Sequence, residues 1–313
     1  METCIIVPSH INNINRTKLL ICCLQSLINQ THKIQIYLSI SFETELDRKL
    51  FKKLIEKNNI LNNRLICIIY QERQTSQFRH IEKVVDNIKN IYKYIMFCDD
   101  DDTYKMNRVE IFKIMTEHGR TNCPKDKIFA GAYERDLQKG SHSLSFYEYW
   151  SYCVNIEIII NFINIIKLNN YDYYIDNKMC DVLFSTYLRF LDNKHLFVSI
   201  NEKLYNYNRN EYSITGKTAK QNKINNNIII KNESKFKIFI QRLNECLEEN
   251  MESIKNNIFV QYSMCKVSFE NMLNDLLKEN YKYKNEINKK ILEEIKFEYK
   301  NIKNLCDILY QYK

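Results

Sequence analysis

The stretch Tyr94-Ile-Met-Phe-Cys98 is a short apolar run that leads directly into four consecutive aspartates, Asp99 to Asp102. An apolar run of this length beside a polar segment is typical of a buried strand. In an open sheet of parallel strands, ligands bind where the strands end and the chain turns into the next loop. The pattern therefore predicts that the four aspartates lie at the ligand-binding edge of a sheet.

The chain before this run alternates between strand and helix patterns. Strands are predicted over residues 4–8, 34–40 and 65–70, and helices over residues 18–29, 45–58 and 77–91. Such alternation is typical of α/β folds in which a parallel sheet is flanked by helices. We therefore expect a mainly parallel, Rossmann-like sheet.

The mixed pattern continues after the aspartates to about residue 220. Helices are predicted over residues 108–118, 156–166 and 181–190. A short strand is predicted over residues 128–133, and a strand pair or a strand with a turn over residues 197–207. From residue 221 onward the chain is rich in Lys, Glu and Asn, with apolar residues at helical spacing. We expect an α/β domain over residues 1–220 and an α-helical C-terminal region over residues 221–313. The helical region would pack on the first domain or on a partner, and it could support a homodimer.

The composition indicates a globular protein of a reducing compartment. The chain has 313 residues, of which 45% are hydrophobic, and a formal net charge of +8. The lysines are spread along the chain, so no basic block indicates a nucleic-acid partner. The 11 cysteines form no CxxC pair and the six histidines are scattered. We therefore expect free thiols, a cytoplasmic location and no structural zinc.

No segment of the sequence has the pattern of a membrane span. The N-terminus leads at once into the apolar run 4–8 without a charged region before it, which predicts no secretory signal. The longest apolar stretch, Val154 to Ile166, is too short to cross a bilayer and carries Glu157 and Asn161. We expect a soluble protein.

The four aspartates favour a metal site. Like charges at contact distance raise each other's pKa, and a hard divalent cation relieves that repulsion. Mg²⁺ or Mn²⁺ is commonly held by one or two carboxylates, with water and substrate phosphates in the remaining positions. The alternative is a solvated acidic turn that caps the helix beginning near Met106.

Residues 1–215 resemble family-two glycosyltransferases and their GT-A relatives. The resemblance is carried by Ile5-Ile6-Val7-Pro8-Ser9, similar to the family's opening strand, and by Asp99-Asp100-Asp101-Asp102, similar to its D-x-D-D metal motif. It implies a GT-A fold, with Pro8, Ser9 and Asp100 at the donor site and Asp99 at the nucleotide ribose. It also implies that Asp101 or Asp102 coordinates Mn²⁺ or Mg²⁺.

The family places its general base some eighty residues beyond the metal motif, at the start of a helix. Asp181 stands 82 residues after Asp99, and Cys180 replaces the acidic residue that usually precedes the base. The resemblance therefore implies Asp181 as the base, with Asp176 as the alternative.

A further segment is similar to the family's mobile loop that closes over the donor diphosphate. It runs Leu204-Tyr-Asn-Tyr-Asn-Arg-Asn-Glu-Tyr-Ser-Ile-Thr215. The resemblance implies that Arg209 and Ser213 contact the phosphates.

The chain departs from the family after the second strand, where an acid usually contacts the nucleotide base. Glu43 is the substitute here, and Arg79 and Gln77 are candidates for the uracil or ribose, against a plain surface role. His80 is expected to be a structural helix residue. Trp150, the only tryptophan, is either part of the core or a floor on which a sugar ring stacks.

The resemblance implies an inverting glycosyltransferase of the hexosyltransferase type. It would move a sugar from a nucleoside diphosphate, UDP by expectation, to a hydroxyl of a glycan, protein or lipid acceptor. One alternative is a metal-dependent nucleotidyltransferase or nuclease, which attacks phosphorus instead of carbon. Another is a non-catalytic binding protein on a degenerate GT-A scaffold.

Overall fold

The computed structural model describes residues 3–60, 62–124, 128–135, 148–177, 180–192, 196–208 and 288–311. The chain divides into two units, residues 1–208 and residues 209–313. The predicted domain boundary at residue 220 lies outside the described residues, as does most of the region expected to support a dimer.

The first unit is built on a seven-stranded sheet with strand order β3-β2-β1-β4-β7-β6-β8. Its strands are β1 (Thr3–Ile11), β2 (Gln35–Phe42), β3 (Ile66–Tyr70), β4 (Tyr94–Phe97), β6 (Gly131–Glu134), β7 (Tyr152–Asn155) and β8 (Phe197–Ile200). The strands from β3 to β4 are parallel, β6 is parallel to β8, and β7 is antiparallel to both of its neighbours. A second, small sheet pairs β5 (Thr103–Tyr104) with β9 (Tyr205–Asn206).

Six α-helices accompany the sheet within the described residues of the first unit. They are α1 (Ile14–Ile28), α2 (Glu45–Lys57), α3 (Gln77–Ile88), α4 (Arg108–Asn122), α5 (Ile156–Leu168) and α6 (Cys180–Asp192). Short 3-10 helices cover Tyr149–Ser151 and Asp172–Tyr174. In the second unit the structure describes one helix, α7 (Lys289–Leu309).

The middle of the sheet forms the core. Residues 4–7 of β1 and 95–97 of β4 are fully buried, as expected for strands covered on both faces by helices. Each flanking helix contributes an apolar stripe, for example Leu20, Leu24 and Leu27 of α1. The predicted α/β fold, with a mainly parallel sheet flanked by helices, is confirmed.

Two details of the topology differ from the sequence prediction. The strand β7, in a segment for which no strand was predicted, enters the sheet antiparallel between β4 and β6. The region 197–207 holds two strands, one of the two predicted alternatives, but they belong to different sheets, because β9 leaves the main sheet to pair with β5 beside the aspartates.

Helix α1 also begins four residues earlier than predicted. Asn13 adopts an extended backbone and its side chain accepts a hydrogen bond from Arg16 N at 3.0 Å, which caps the helix. The earlier start places Arg16 in the first turn of the helix.

Gly131 in β6 provides a test of the sheet packing. Its φ is +140°, and a Cβ atom added there would lie 1.9 Å from the carbonyl oxygen of Cys153. We expect Gly131→Ala to lower the free energy of unfolding by at least about 2 kcal/mol, measured by urea denaturation.

The matched control is Gly119→Ala in helix α4, where the new methyl group would meet the ring of Phe129. That ring can move, and alanine favours the helix by about 1 kcal/mol over glycine. Equal losses of stability in the two variants would contradict this account of Gly131.

Candidate active site

The four aspartates form one turn, Asp99 to Asp102, here called the acidic turn. It follows β4 at the carboxyl end of the sheet, where the parallel strand β1 also ends. Cys98 N donates to the Ile6 carbonyl at 3.1 Å, and Ser9 Oγ then donates to Asp100 Oδ2 at 2.6 Å. Two of the predicted donor-site residues, Ser9 and Asp100, are therefore in contact. Pro8 is buried in β1 beside them.

Asp99 is fixed by residues from three other segments. Gln77 of α3 donates to its Oδ1 at 2.9 Å, and the buried Tyr149 hydroxyl donates to the same oxygen. The Asp99 backbone N–H donates to the Tyr205 hydroxyl at 3.0 Å. Burial, together with the charge of Asp102, holds the Asp99 pKa well above its ordinary value.

Asp100 and Asp101 are held by one guanidinium. Arg16 Nε donates to Asp100 Oδ2 at 3.1 Å, Nη2 contacts Asp100 Oδ1, and Nη1 donates to Asp101 Oδ2 at 3.0 Å. The Asp100 side chain is 2% exposed and that of Asp101 is 11% exposed. Arg16 therefore neutralises the middle of the acidic turn from the start of α1.

Asp102 is bound to the first residues of the predicted closing loop. The Tyr205 hydroxyl donates to Asp102 Oδ2 at 2.8 Å, and Asn208 N donates to Oδ1 at 2.6 Å. Burial raises the Asp102 pKa to about 7, although these two hydrogen bonds oppose the shift. A movement of the Asp102 carboxylate would therefore directly affect the position of residue 208.

The acidic turn suits a metal that is bound together with a substrate. Within the described parts of the chain, no group of three or more His, Cys, Asp or Glu side chains is arranged to hold an ion. Asp101 and Asp102 offer neighbouring carboxylates, and Mg²⁺ in phosphate-transfer sites often takes only one or two from the protein. These residues fit an ion whose coordination is completed by a diphosphate.

Asp181 lies in the first turn of α6, near the acidic turn. Its Oδ1 is buried and has no hydrogen-bond partner among the residues that the structure describes. Burial, followed by the charge of Glu148, raises the Asp181 pKa to about 7. The charge of Asp181 in turn contributes to the raised pKa of Asp99 and of Tyr149.

Asp176, the alternative base, has a different environment. Arg79 donates to both of its oxygens, from Nε at 2.9 Å and from Nη2 at 2.8 Å. Its side chain is 62% exposed. Asp176 is thus exposed and paired with an arginine, whereas Oδ1 of Asp181 is buried without a hydrogen-bond partner among the described residues, so the two candidates are chemically distinct.

Glu43 belongs to a hydrogen-bonded chain at the ends of β1 and β2. Its Oε2 lies 2.9 Å from His10 Nε2, and His10 Nδ1 lies 2.9 Å from Ser41 Oγ. Ser41 and Ser39 both contact the buried ring of His80. Burial lowers the His80 pKa to about 4, so this ring is neutral and structural, as expected from the sequence.

Trp150 is packed against the strand that holds Asp102. Its ring stacks on Tyr205 at 4.1 Å and on Tyr207 at 5.9 Å between centroids. Its carbonyl accepts a hydrogen bond from the fully buried Arg108 at 2.8 Å. These contacts favour the core role for Trp150. Arg209 and Ser213 lie outside the described residues.

Several residues of this site carried no signal in the sequence. Arg16 is an ordinary arginine after the first strand, and its contact with Asp100 depends on where α1 begins. No role was predicted for Tyr149. Tyr205 lies in the segment similar to the closing loop, and its contact with Asp102 could have been suspected only from the pairing of β9 with β5.

The ion pair of Arg16 leads to a first prediction for the site, which concerns stability. Arg16→Ala leaves the Asp100 carboxylate buried without its partner, and we expect the free energy of unfolding to fall by about 3 kcal/mol. Urea denaturation at pH 8 measures the loss. Arg64→Ala, at an exposed arginine, is the control and should change stability by less than about 0.5 kcal/mol. A similar, small effect of both changes would refute the structural role of Arg16.

The raised pKa of Asp181 makes the second prediction. A carboxyl group whose pKa is about 7 in the folded state binds its proton more tightly than in the unfolded state. Its contribution to stability is therefore lost as the pH rises from about 4 to about 7. Asp181→Asn removes this loss, so the free energy of unfolding of the variant should exceed that of the wild type by more than about 1 kcal/mol at pH 8.

The difference should shrink toward pH 5, as measured by urea denaturation at both pH values. The exposed Asp86→Asn is the matched control and should show no such pH-dependent gain. A constant difference between Asp181→Asn and the wild type would mean that Asp181 is not protonated near neutral pH.

No protein-family model matches the chain, and no curated protein matches it. Among solved structures, the chain is similar to the crystal structure of S. aureus TarS, with 13% sequence identity and a TM-score of 0.44. It is also similar to the crystal structure of S. aureus TarS 1–349, with 13% identity and a TM-score of 0.45. Each alignment covers 97% of this chain, but 55% of the first TarS chain and 90% of the second. This chain thus spans about half the length of the first of these structures.

Proposed function

We propose that the protein is a metal-dependent glycosyltransferase that moves a sugar from a nucleoside diphosphate to an acceptor hydroxyl with inversion. One observation carries the proposal. A buried carboxylate with a raised pKa, Asp181, lies near an acidic turn at the carboxyl edge of an α/β sheet. A proton acceptor and an anchor for a charged leaving group are the two main requirements of this reaction.

Asp181 acts as the general base. Its Oδ1 accepts the proton of the attacking hydroxyl, because that oxygen has no hydrogen-bond partner among the described residues. A pKa of about 7 suits proton transfer near neutral pH, since the base is then both available and strong enough. The start of α6 fixes the backbone of the base, while the apolar core behind it supplies the burial.

The donor lies across the carboxyl ends of β1 and β4. Asp99 takes the ribose, and the neighbouring Pro8, Ser9 and Asp100 shape the wall beside it. Glu43 takes the nucleotide base, for which we expect uracil. Arg209 and Ser213 are proposed as the phosphate contacts.

Asp101 and Asp102 would hold Mn²⁺ or Mg²⁺. When bound, the ion would offset the negative charge that develops on the departing diphosphate. Tyr205 and Asn208 N fix the Asp102 carboxylate through both of its oxygens. Since Asn208 lies within the predicted closing segment, residues 204–215, binding at the acidic turn would be linked to the position of that segment.

We place this activity in a reducing compartment, by expectation the cytoplasm. The nine cysteines within the described residues are free, including Cys23 and Cys98, whose sulfur atoms lie 3.6 Å apart. None of the described helices has the length and apolar character that a membrane span requires. The acceptor is proposed to be a hydroxyl of a glycan, a protein or a lipid.

The test is the release of nucleoside diphosphate from a panel of nucleotide sugars, with Mn²⁺, with Mg²⁺ and with EDTA. We expect metal-dependent release from one donor. Asp101→Asn and Asp181→Asn should each lower kcat by about 100-fold or more, because one loses a metal ligand and the other the base. Asp86→Asn, an exposed aspartate, should remain within about twofold of the wild type.

Nucleotide binding separates the two roles. Asp181→Asn should retain metal-dependent binding of the nucleoside diphosphate, measured by calorimetry, whereas Asp101→Asn should lose it. Release of monophosphate or pyrophosphate would instead indicate a nucleotidyltransferase. Absence of nucleotide binding in the wild type would refute the enzyme and favour a binding protein.

A further inference from the structure

The first turn of α3 contacts both halves of the candidate site. Gln77 donates to Asp99 Oδ1 at 2.9 Å, on the side of the acidic turn. Ser76, the N-cap of the helix, donates from Oγ to the carbonyl of Ile175 at 2.9 Å, on the side of the base. A single helix end therefore spans the space between the donor and the base.

Arg79, two residues further along α3, makes most of the contacts on the side of the base. It bonds both oxygens of Asp176 at 2.9 and 2.8 Å. It also bonds both oxygens of Asp172 at 3.2 and 2.7 Å and the Asp172 carbonyl at 3.1 Å. On its own helix it bonds Glu82 at 2.9 Å. Residues 172–176 are thereby tied to α3.

These contacts engage the whole guanidinium group. An arginine has five N–H donors: one on Nε and two on each Nη. Nε bonds Asp176, Nη1 bonds Glu82 and Asp172, and Nη2 bonds Asp172 and Asp176. In this arrangement no donor is left over for a nucleotide, the ligand that the sequence suggested for Arg79.

The tied segment leads into the helix of the base through backbone hydrogen bonds. Asp176 N donates to the Tyr173 carbonyl at 3.2 Å, and Asn177 N donates to the Tyr174 carbonyl at 3.1 Å. Cys180 N then donates to the Asn177 carbonyl at 3.0 Å. Asp181 is the next residue, so a movement of Asp176 is transmitted over a short and bonded path to the base.

The contacts of Arg79 with Asp172 and Asp176, here called the clamp, contribute more to the position of residues 172–176 than to the stability of the fold. The side chains of Asp172 and Asp176 are 52% and 62% exposed, and exposed ion pairs stabilise a fold only weakly. Its two-pronged geometry nevertheless requires the planar guanidinium, because a lysine ammonium cannot bond two carboxylates in the same bidentate way. The conservative change Arg79→Lys should therefore alter the position of residues 172–176 while the fold is kept.

We propose that Arg79 is a positioning residue that sets the place of the base Asp181 relative to the acidic turn, through its clamp on Asp172 and Asp176. The inference rests on the proposed function, in which Asp181 is the base. It assigns to Arg79 an effect on the chemical step and none on nucleotide affinity.

The experiment compares Arg79→Lys with the wild type in steady-state kinetics and nucleoside diphosphate binding. We expect kcat to fall about tenfold or more, while KM for the donor and Kd for the nucleotide stay within about twofold. The double variant Asp172→Asn, Asp176→Asn removes the other side of the clamp and should reproduce this pattern. Arg64→Lys, at an exposed arginine, is the control and should match the wild type.

The pH dependence of kcat adds a result that a loss of stability alone would not give. A displaced Asp181 becomes more hydrated, so the apparent pKa of the ascending limb should fall from about 7 toward the ordinary carboxyl range. A higher KM and Kd with unchanged kcat would overturn the proposal and support a nucleotide contact. Kinetics equal to the wild type would overturn it as well.

A second measurement keeps this inference separate from the proposed function. If the wild type releases no diphosphate from any donor, the proposed function fails. The position of Asp181 is then judged from the free energy of unfolding, through the pH-dependent gain that Asp181→Asn produces. That gain should be smaller when Asp181→Asn is added to the Arg79→Lys variant than when it is added to the wild type. An equal gain in both backgrounds would overturn the role of Arg79.

Discussion

Four carboxylates in one turn repel one another, and the rest of the structure is arranged so that this repulsion is offset. Each is held by a different part of the chain: Asp99 by Gln77 and Tyr149, Asp100 and Asp101 by Arg16, and Asp102 by Tyr205 and Asn208 N. The partners come from α1, α3, the 3-10 helix before β7, and β9 with the residues after it. Placing negative charge here therefore requires most of the first unit to be assembled.

The antiparallel strand β7 explains how the partners on the far side reach the turn. It pairs with β4 through Met96 and Cys153, so the short helix before it, which holds Tyr149 and Trp150, comes to lie beside the carboxyl end of β4. The aromatic contact between Trp150 and Tyr205 then fixes β9. Buried Arg108 stacks on Tyr205 at 4.8 Å and completes this support.

The sequence was sufficient to predict what depends on local pattern. The apolar run 94–98 and the alternation before it predicted the strands and the edge at which the aspartates lie, and Asp181 was predicted at the start of a helix. Contacts between distant segments were not predictable, because Arg16 meets Asp100 across 84 residues and Tyr205 meets Asp102 across 103. Nothing local to Arg79 indicated that Asp172 and Asp176 would occupy its donors.

The stacking of Trp150 on Tyr205 also gives the protein a built-in optical reporter. Trp150 is the only tryptophan in the chain, so all of its indole emission comes from one place. The ring that it contacts is bonded to Asp102, and Tyr207 extends the stack. Quenching or a colour shift of that emission would report a change in the packing of Tyr205 and Tyr207 against Trp150, without an added label.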